Sequence, residues 1–332
     1  MVPQADLTYR PIDNRRVSLL RPGGLSFSAG TIAKIQIKTY DIKVKKIHEV
    51  DENVCREEIL GISYSGGGNR GVVHLGALRA FLEKKIIPTH VVGVSAGAFV
   101  AAFHAFDPLT NNSFTDLKII FSFINKEFIG LSTWQIILRL AKQGLNAQSL
   151  GDSAKIREFL EKRLPFRDFQ DFKVPLAIGA TDIQTGSDAW FREGSIIPAL
   201  LASSATPGIF PPVKIGERIF IDGGVTNNLP LFELAKKGCG TIYAVNAGYS
   251  GEAKRPPKNF LENIINSRDI AQYQTTRYEI ELINTLYPKI KIVPVEPRSG
   301  FELAPYDFTQ ERAERVIEES YQYTRDLLDS TS

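Results

Sequence analysis

A serine stands between two glycines, Gly93-Val94-Ser95-Ala96-Gly97, where the apolar run "THVVGVS" (89–95) gives way to the alanine-rich "AGAFVAAFHAF" (96–106). G-x-S-x-G at a strand-to-helix junction describes a sharp turn that exposes the hydroxyl, with Gly93 and Gly97 keeping side chains away from the neighbouring backbone. The N-terminus of the following helix adds partial positive charge beneath the hydroxyl, favouring alkoxide and oxyanion alike. Ser95 is the candidate nucleophile.

A serine nucleophile needs a base, usually histidine. The four histidines stand at 48, 74, 90 and 104, and only His104 follows Ser95. Nine residues along one helix separate those two by about 13 Å at 1.5 Å per residue, so a Ser-Asp-His triad is not supported. The remaining candidate is Asp222 in "RIFIDGG" (218–224), which closes an expected strand and is followed by Gly223 and Gly224. Burial in an apolar pocket would raise its reference pKa of about 3.9 and strengthen its bond to a serine hydroxyl. An ordinary Asp-Gly turn joining strands is the competing reading.

The third feature is "GGGNRG" (66–71), at the end of the run "ILGISY" (59–64). Three glycines leave backbone N–H groups unshielded, as stabilisation of an oxyanion requires. A nucleotide phosphate loop fits poorly: no G-K-[ST] follows, and the spacing is not G-x-G-x-x-G. Arg70 opens the next helix, able to pin the loop or to meet a phosphate.

These residues need elements that bring them together. Strand 59–64, helix 70–85, strand 89–95 and helix 96–106 form a parallel β-α-β unit, right-handed by the usual crossover rule, so the glycine loop and Ser95 lie at one carboxyl edge of a sheet. Residues 174–183, 218–224, 240–248 and 289–296 read as further strands, residues 113–164 as mostly helical, and 309–328 as an amphipathic helix. "AKIQIKTYDIKVKKI" (33–47) alternates like a half-buried strand or hairpin. The expected organisation is a basic N-terminal extension over 1–55 and one α/β domain over 56–332, with a central, mostly parallel sheet flanked by helices. The aromatics Phe114, Phe121, Phe123, Phe128 and Trp134 either border an acyl channel and dock at lipid or are simply core.

Composition narrows the classes. The chain of 332 residues carries 40 Lys+Arg against 37 Asp+Glu, a net charge of +3 that gives no reason to expect nucleic acid. Two cysteines exclude a disulfide framework, and no metal-binding pattern is visible. Residues 1–50 hold nine Lys/Arg and four Asp/Glu, a surplus suited to anionic lipid or to nothing more than a solvated face. No signal-type or membrane-spanning run is present, so the expected location is cytoplasmic or peripheral to a membrane, or export without a cleavable signal.

Taken together, "GGGNRG" (66–71), "GVSAG" (93–97) and "DGG" (222–224) resemble, in order, the signature of the patatin-like phospholipases. "ASSATPGIFPP" (202–212) and "VTNNLP" (225–230) resemble the segments flanking that family's aspartate. The resemblance covers roughly residues 57–325. It implies a three-layer fold, a Ser95–Asp222 dyad, an oxyanion hole from the amides around Gly67, Gly68 and Asn69, and hydrolysis of lipid acyl esters at a membrane or micelle surface. It implies no metal or cofactor, and Gly66, Arg70, Gly71, Gly93, Gly97, Gly223 and Gly224 as supporting positions. The first 50 residues match nothing in that family, which leaves room for an activator acting through them. A soluble carboxylesterase or thioesterase, and a ligand- or partner-gated protein on the same scaffold, remain alternatives.

Overall fold

The computed structural model describes residues 59–110, 112–129, 153–258, 260–297 and 309–331. The strand or hairpin expected over 33–47, the rest of the N-terminal extension and Trp134 lie outside the described residues.

In chain order the elements are β1 (Leu60–Tyr64), a 3-10 turn (Gly68–Val72), α1 (Val73–Glu83), β2 (His90–Val94), α2 (Ala96–Phe106), α3 (Asn112–Ile129) and α4 (Ser153–Arg163). Then come a second 3-10 turn (Phe169–Asp171), β3 (Leu176–Asp182), β4 (Ser187–Phe191), α5 (Ile196–Ser203), β5 (Val213–Ile215) and β6 (Arg218–Asp222). A short turn (Gly223–Val225), α6 (Phe232–Ala235), β7 (Thr241–Val245), α7 (Phe260–Leu286), β8 (Lys291–Val295) and α8 (Gln310–Thr331) complete the described residues.

The strands form one sheet in the order β5-β6-β3-β2-β1-β7-β8, with β4 added to β3. Strands β3, β2, β1, β7 and β8 are parallel, while β4, β5 and β6 run antiparallel to their neighbours. The sheet is the expected mostly parallel one. Because strand side chains alternate, each face builds its own core. Ile62, Tyr64, Val91, Ile178 and Val245 join α1, α2, α3, α5 and α8 on one face. Val92, Ala177, Ile242 and Ala244 join α6 and Ile283 of α7 on the other. Helix, sheet, helix makes three layers. Fully buried side chains such as Tyr64, Phe81 and Phe103 each contribute about 1.5–3 kcal/mol by leaving water.

The register of β3 decides where chemistry can happen. Strand β4 pairs with Ile178–Asp182, β2 with Leu176–Gly179, and β6 with Ala180–Asp182. A strand has only two edges, so β4 takes one and β2 and β6 share the other, end to end. Strand β2 runs up to Val94 opposite Gly179, and β6 runs down to Asp222 opposite Ala180. Residues 95 and 222 therefore meet head-on.

Helix α1, which leads away from the glycine turn, is clamped by α8. A β-carbon on Gly76 would sit 2.3 Å from the Ile317 carbonyl and 2.6 Å from the Tyr321 nitrogen, and Ser320 Oγ donates to the Val73 carbonyl at 2.7 Å. Arg79 stacks 3.9 Å above the Tyr321 ring.

One expectation needs correcting, and one pair of alternatives is narrowed. The helix expected from residue 70 begins as a 3-10 turn and becomes α-helical only at Val73. The aromatics in the 113–164 stretch whose side chains are described are core residues: Phe121 is buried, Phe114 and Phe123 pack against the core, and Phe123 stacks on Phe159 at 3.8 Å. Of the two readings of these aromatics, core packing is the one that Phe114, Phe121 and Phe123 fit.

The Gly76 contact gives a test of sign. Alanine is the better helix former by about 1 kcal/mol, but it would overpack a backbone-to-backbone crossing at a typical 1–3 kcal/mol. Gly76→Ala should lower the midpoint of chemical denaturation rather than raise it.

Candidate active site

Ser95 occupies the turn between β2 and α2 with φ 53° and ψ −123°, a left-handed conformation that costs a non-glycine residue about 1–3 kcal/mol. The surroundings enforce it. A β-carbon at Gly93 would meet the Gly97 carbonyl at 2.5 Å, and one at Gly97 would meet the Tyr64 and Ser65 carbonyls, each at 2.4 Å. Both flanking positions must therefore be glycine for β2, α2 and the end of β1 to pack as they do. The Ser95 amide donates to Ser203 Oγ at 2.8 Å, and Ser203 Oγ donates to the Gly179 carbonyl at 2.6 Å.

Asp222 faces Ser95 as the register requires. Ser95 Oγ donates to Asp222 Oδ2 at 2.8 Å; Thr206 Oγ1 donates to the same oxygen at 2.7 Å. The Gly224 amide donates to Oδ1 at 2.8 Å. The main chain is fixed as well: the Asp222 amide donates to the Ala205 carbonyl at 3.0 Å, and Thr181 Oγ1 donates to the Asp222 carbonyl at 3.0 Å. Gly223 presses on β3, its β-carbon position 2.5 Å from the Gly179 carbonyl. Both Ser95 and Asp222 are buried, each 7% exposed. Burial pushes the Asp222 carboxyl above its ordinary pKa, opposed by the Gly224 amide, the Thr206 and Ser95 hydroxyls and the charge of Arg268. Burial prevails, which makes this carboxylate a stronger base than an exposed one.

The glycine stretch runs beside the pair. Gly66 exchanges bonds with Asn228: its amide donates to the Asn228 carbonyl at 2.9 Å, and Asn228 Nδ2 donates to its carbonyl at 3.2 Å. A β-carbon on Gly66 would lie 2.4 Å from Asn228 Oδ1 and 3.2 Å from Ser95 Cβ, so only bare backbone fits there. Gly67 precedes the 3-10 turn and Gly68 opens it at φ 54°. The first N–H groups of a helical turn have no acceptor within it. The Gly67 and Gly68 amides donate to no protein acceptor among the described residues, and Gly68 is exposed. Asn69 is buried in the same turn. Gly71 lets the turn lie on α2, its β-carbon position 2.6 Å from Ala96 Cβ. Arg70 leaves the turn to meet Asp269 of α7 at 3.3 Å, so it pins the loop.

The three described histidines stand apart from this pair, and His48 lies outside the described residues. His104 Nδ1 pairs with the Tyr64 hydroxyl at 2.9 Å, and burial pushes the ring's pKa down to about 3. His74 Nε2 meets the Ser65 carbonyl at 2.8 Å, its pKa pushed down to about 4 by burial. Both are neutral structural groups. Among the described residues no group of three or more His, Cys, Asp or Glu could hold a metal.

Sequence reasoning singled out Ser95, Asp222 and the glycine loop but not their supports. Ser203 and Thr206 sit in "ASSATP" and Asn228 in "VTNNLP", segments noted for their resemblance without any role for these side chains. Asp269 and Gln272, whose Nε2 donates to the Gly224 carbonyl at 2.6 Å, gave no signal, because α7 was not anticipated. Ser203 is the most exacting of these supports. Ser203→Ala would leave a buried amide and a buried carbonyl unpaired, at about 1–3 kcal/mol. It should lower stability measurably in urea titrations, whereas the exposed Ser330→Ala should not.

Residues 62–235 match the family model described as patatin-like phospholipase. Lysophospholipase NTE1 of Debaryomyces hansenii is 26% identical over 236 residues, which is 70% of this chain and 14% of that protein. Lysophospholipase NTE1 of Candida glabrata is 31% identical over 194 residues, 58% of this chain and 10% of that protein. An uncharacterized NTE family protein of Mycobacterium tuberculosis is 26% identical over 209 residues, 62% of this chain and 54% of that protein. The chain spans about half or less of the length of these relatives. Among solved structures, VipD from Legionella pneumophila superposes with a TM-score of 0.40 at 16% identity, covering 83% of this chain and 67% of that one, too loosely to carry weight.

Proposed function

The chain belongs to the patatin-like phospholipase family, and from that premise we propose that it is a lipid acyl hydrolase of phospholipase A type, cleaving fatty-acyl esters of phospholipids or related glycerolipids. One observation carries the reading: Ser95 Oγ donates to the buried Asp222 carboxylate at 2.8 Å, from a backbone held at φ 53°. No histidine among the described residues bonds to either group.

Asp222 accepts the Ser95 proton as Oγ bonds to the ester carbonyl carbon, and the carbonyl electron pair moves to oxygen. The Gly67 and Gly68 amides, with Asn69 beside them, stabilise that oxyanion. Collapse breaks the bond to the alkoxy oxygen, which leaves as lysophospholipid or glycerophospho-alcohol with the proton held by Asp222. Water then attacks the acyl-enzyme, giving its proton to Asp222. The second collapse returns Ser95 and releases the fatty acid. Thr206 and Gly224 hold the carboxylate in line through both steps. No helix among the described residues is long and apolar enough to cross a membrane, and the proposed substrate is taken from a membrane or micelle surface.

Ser95→Ala should abolish release of fatty acid from micellar phospholipid, followed by product mass, and leave the thermal midpoint close to wild type. Hydrolysis of short water-soluble esters with none of phospholipid would favour the esterase or thioesterase alternative. Asp222 must be ionised to act, so activity should rise with pH through its elevated pKa. Thr206→Val removes a donor that stabilises the carboxylate, raising that pKa further. The acid limb of the kcat/KM profile should move to higher pH; an unmoved limb would remove Asp222 from the role of base.

A further inference from the structure

Beside the Ser95–Asp222 pair, three cations share one carboxylate. Asp269 of α7 is 3% exposed in its side chain and receives Lys254 Nζ at 2.7 Å, Arg70 Nη2 at 3.3 Å and Arg268 Nη2 at 3.7 Å. The cluster thus carries two positive charges in excess of its acid. Its members are not equivalent. Arg70 is anchored beneath the glycine turn with 16% of its side chain exposed. Lys254 is 23% exposed and is also held by Asn266 Oδ1 at 3.1 Å and by the face of Tyr249 at 4.5 Å. Arg268 is 44% exposed and touches Asp269 only at the longest of the three separations. Such a pair contributes little to stability, and Arg70 and Lys254 already neutralise Asp269. The fold has no evident need of this guanidinium.

Its helix touches the supports of the reaction site. Arg268 lies one helical turn before Gln272, on the same side of α7. Gln272 Nε2 bonds the Gly224 carbonyl at 2.6 Å, and the Gly224 amide bonds Asp222 at 2.8 Å. Arg70, inside the Gly68–Val72 turn, reaches the same Asp269 oxygen as Arg268. The cluster thus joins the glycine turn to α7, and the positive charge of Arg268 works against the rise in the Asp222 pKa.

We propose that Arg268, backed by Lys254, binds the phosphate of the substrate's own headgroup and makes this site select phosphate-bearing over neutral acyl glycerols, an inference that rests on the acyl-hydrolase reading above. A phosphodiester is an anion with oxygens suited to the guanidinium fork. It lies a few bonds from the scissile ester in any glycerophospholipid, so the anion and the carbonyl can be held together.

The test compares kcat/KM for lysophosphatidylcholine and for monoacylglycerol of the same chain length, both in uncharged detergent micelles. Wild type should favour the phosphate-bearing lipid. Arg268→Gln should lower that ratio about 10- to 100-fold, the range of one charge-assisted hydrogen bond, and Arg268→Lys should restore part of it. Lys291→Gln, removing an exposed cation at the start of β8, at the other end of the sheet, should leave the ratio in place. Inorganic phosphate should inhibit lysophospholipid hydrolysis by wild type more than by Arg268→Gln. Three results would overturn the proposal: an unchanged ratio in Arg268→Gln, an effect seen only when anionic lipid is added to the micelles, or equal inhibition of both lipids by inorganic phosphate. The last two would assign the guanidinium to surface attraction or to a free anion. Ser95-dependent hydrolysis of both lipids without any Arg268 effect would sink this inference alone. No Ser95-dependent hydrolysis of either would sink the acyl-hydrolase reading instead.

Discussion

One edge of β3 is shared by two strands running toward each other, and the rest of the site depends on that arrangement. Strand β2 arrives parallel and stops at Val94; β6 arrives antiparallel and stops at Asp222. Where they abut, hydrogen-bonded pairing must break, and the two terminal residues are left facing one another in a buried interior. The turn after β2 becomes α2 and the turn after β6 is the Gly223–Val225 stretch, so neither chain can continue along the ladder. A polar pair at such a junction must satisfy itself, since unpaired buried groups are costly. The serine hydroxyl and the aspartate carboxylate do so mutually.

The electrostatics of Asp222 is a balance between opposed effects, of which burial is the largest. Burial disfavours the charged form, while three hydrogen-bond donors and a nearby guanidinium favour it. The outcome lies on the raised side, yet the carboxylate remains fully oriented. On the proposed mechanism such a base needs no imidazole, because desolvation does what a higher intrinsic pKa would otherwise do. The two buried histidines contribute on a different level. They tie Tyr64 and the Ser65 carbonyl to the helices behind the sheet, in an environment that keeps both rings uncharged.

The sequence made much of this readable. G-x-S-x-G at an apolar-to-helical junction located β2 and α2, and the span 96–106 of α2 is the one observed. Aspartate before paired glycines located the end of β6. Other parts resisted for physical reasons. Helix α7 reverses the usual pattern: Asp269 and Glu279 are buried, whereas Ile264, Ile270, Tyr278, Leu282 and Leu286 are exposed, so no clean apolar face marks it. Glu279 is buried because it accepts the Leu231 and Phe232 amides at 3.1 and 2.6 Å, a capping duty invisible to hydropathy. Strand β4 is short and its outer residues are partly exposed. Its pairing follows from a turn in which Gly186 takes φ 69° and Asp182 Oδ1 accepts the Gln184 amide at 2.9 Å. Ser203 and Thr206 lay in plain view, but their targets are set by tertiary contacts more than a hundred residues away for one and sixteen for the other.

The left-handed backbone at Ser95 has a consequence for how this fold trades robustness against reactivity. Alanine keeps the β-carbon and so inherits the unfavourable torsion, whereas glycine is at ease there. Giving up the whole hydroxymethyl group for a hydrogen atom would therefore relieve that torsion. On the proposed function, the position is one where tension is retained for the sake of chemistry.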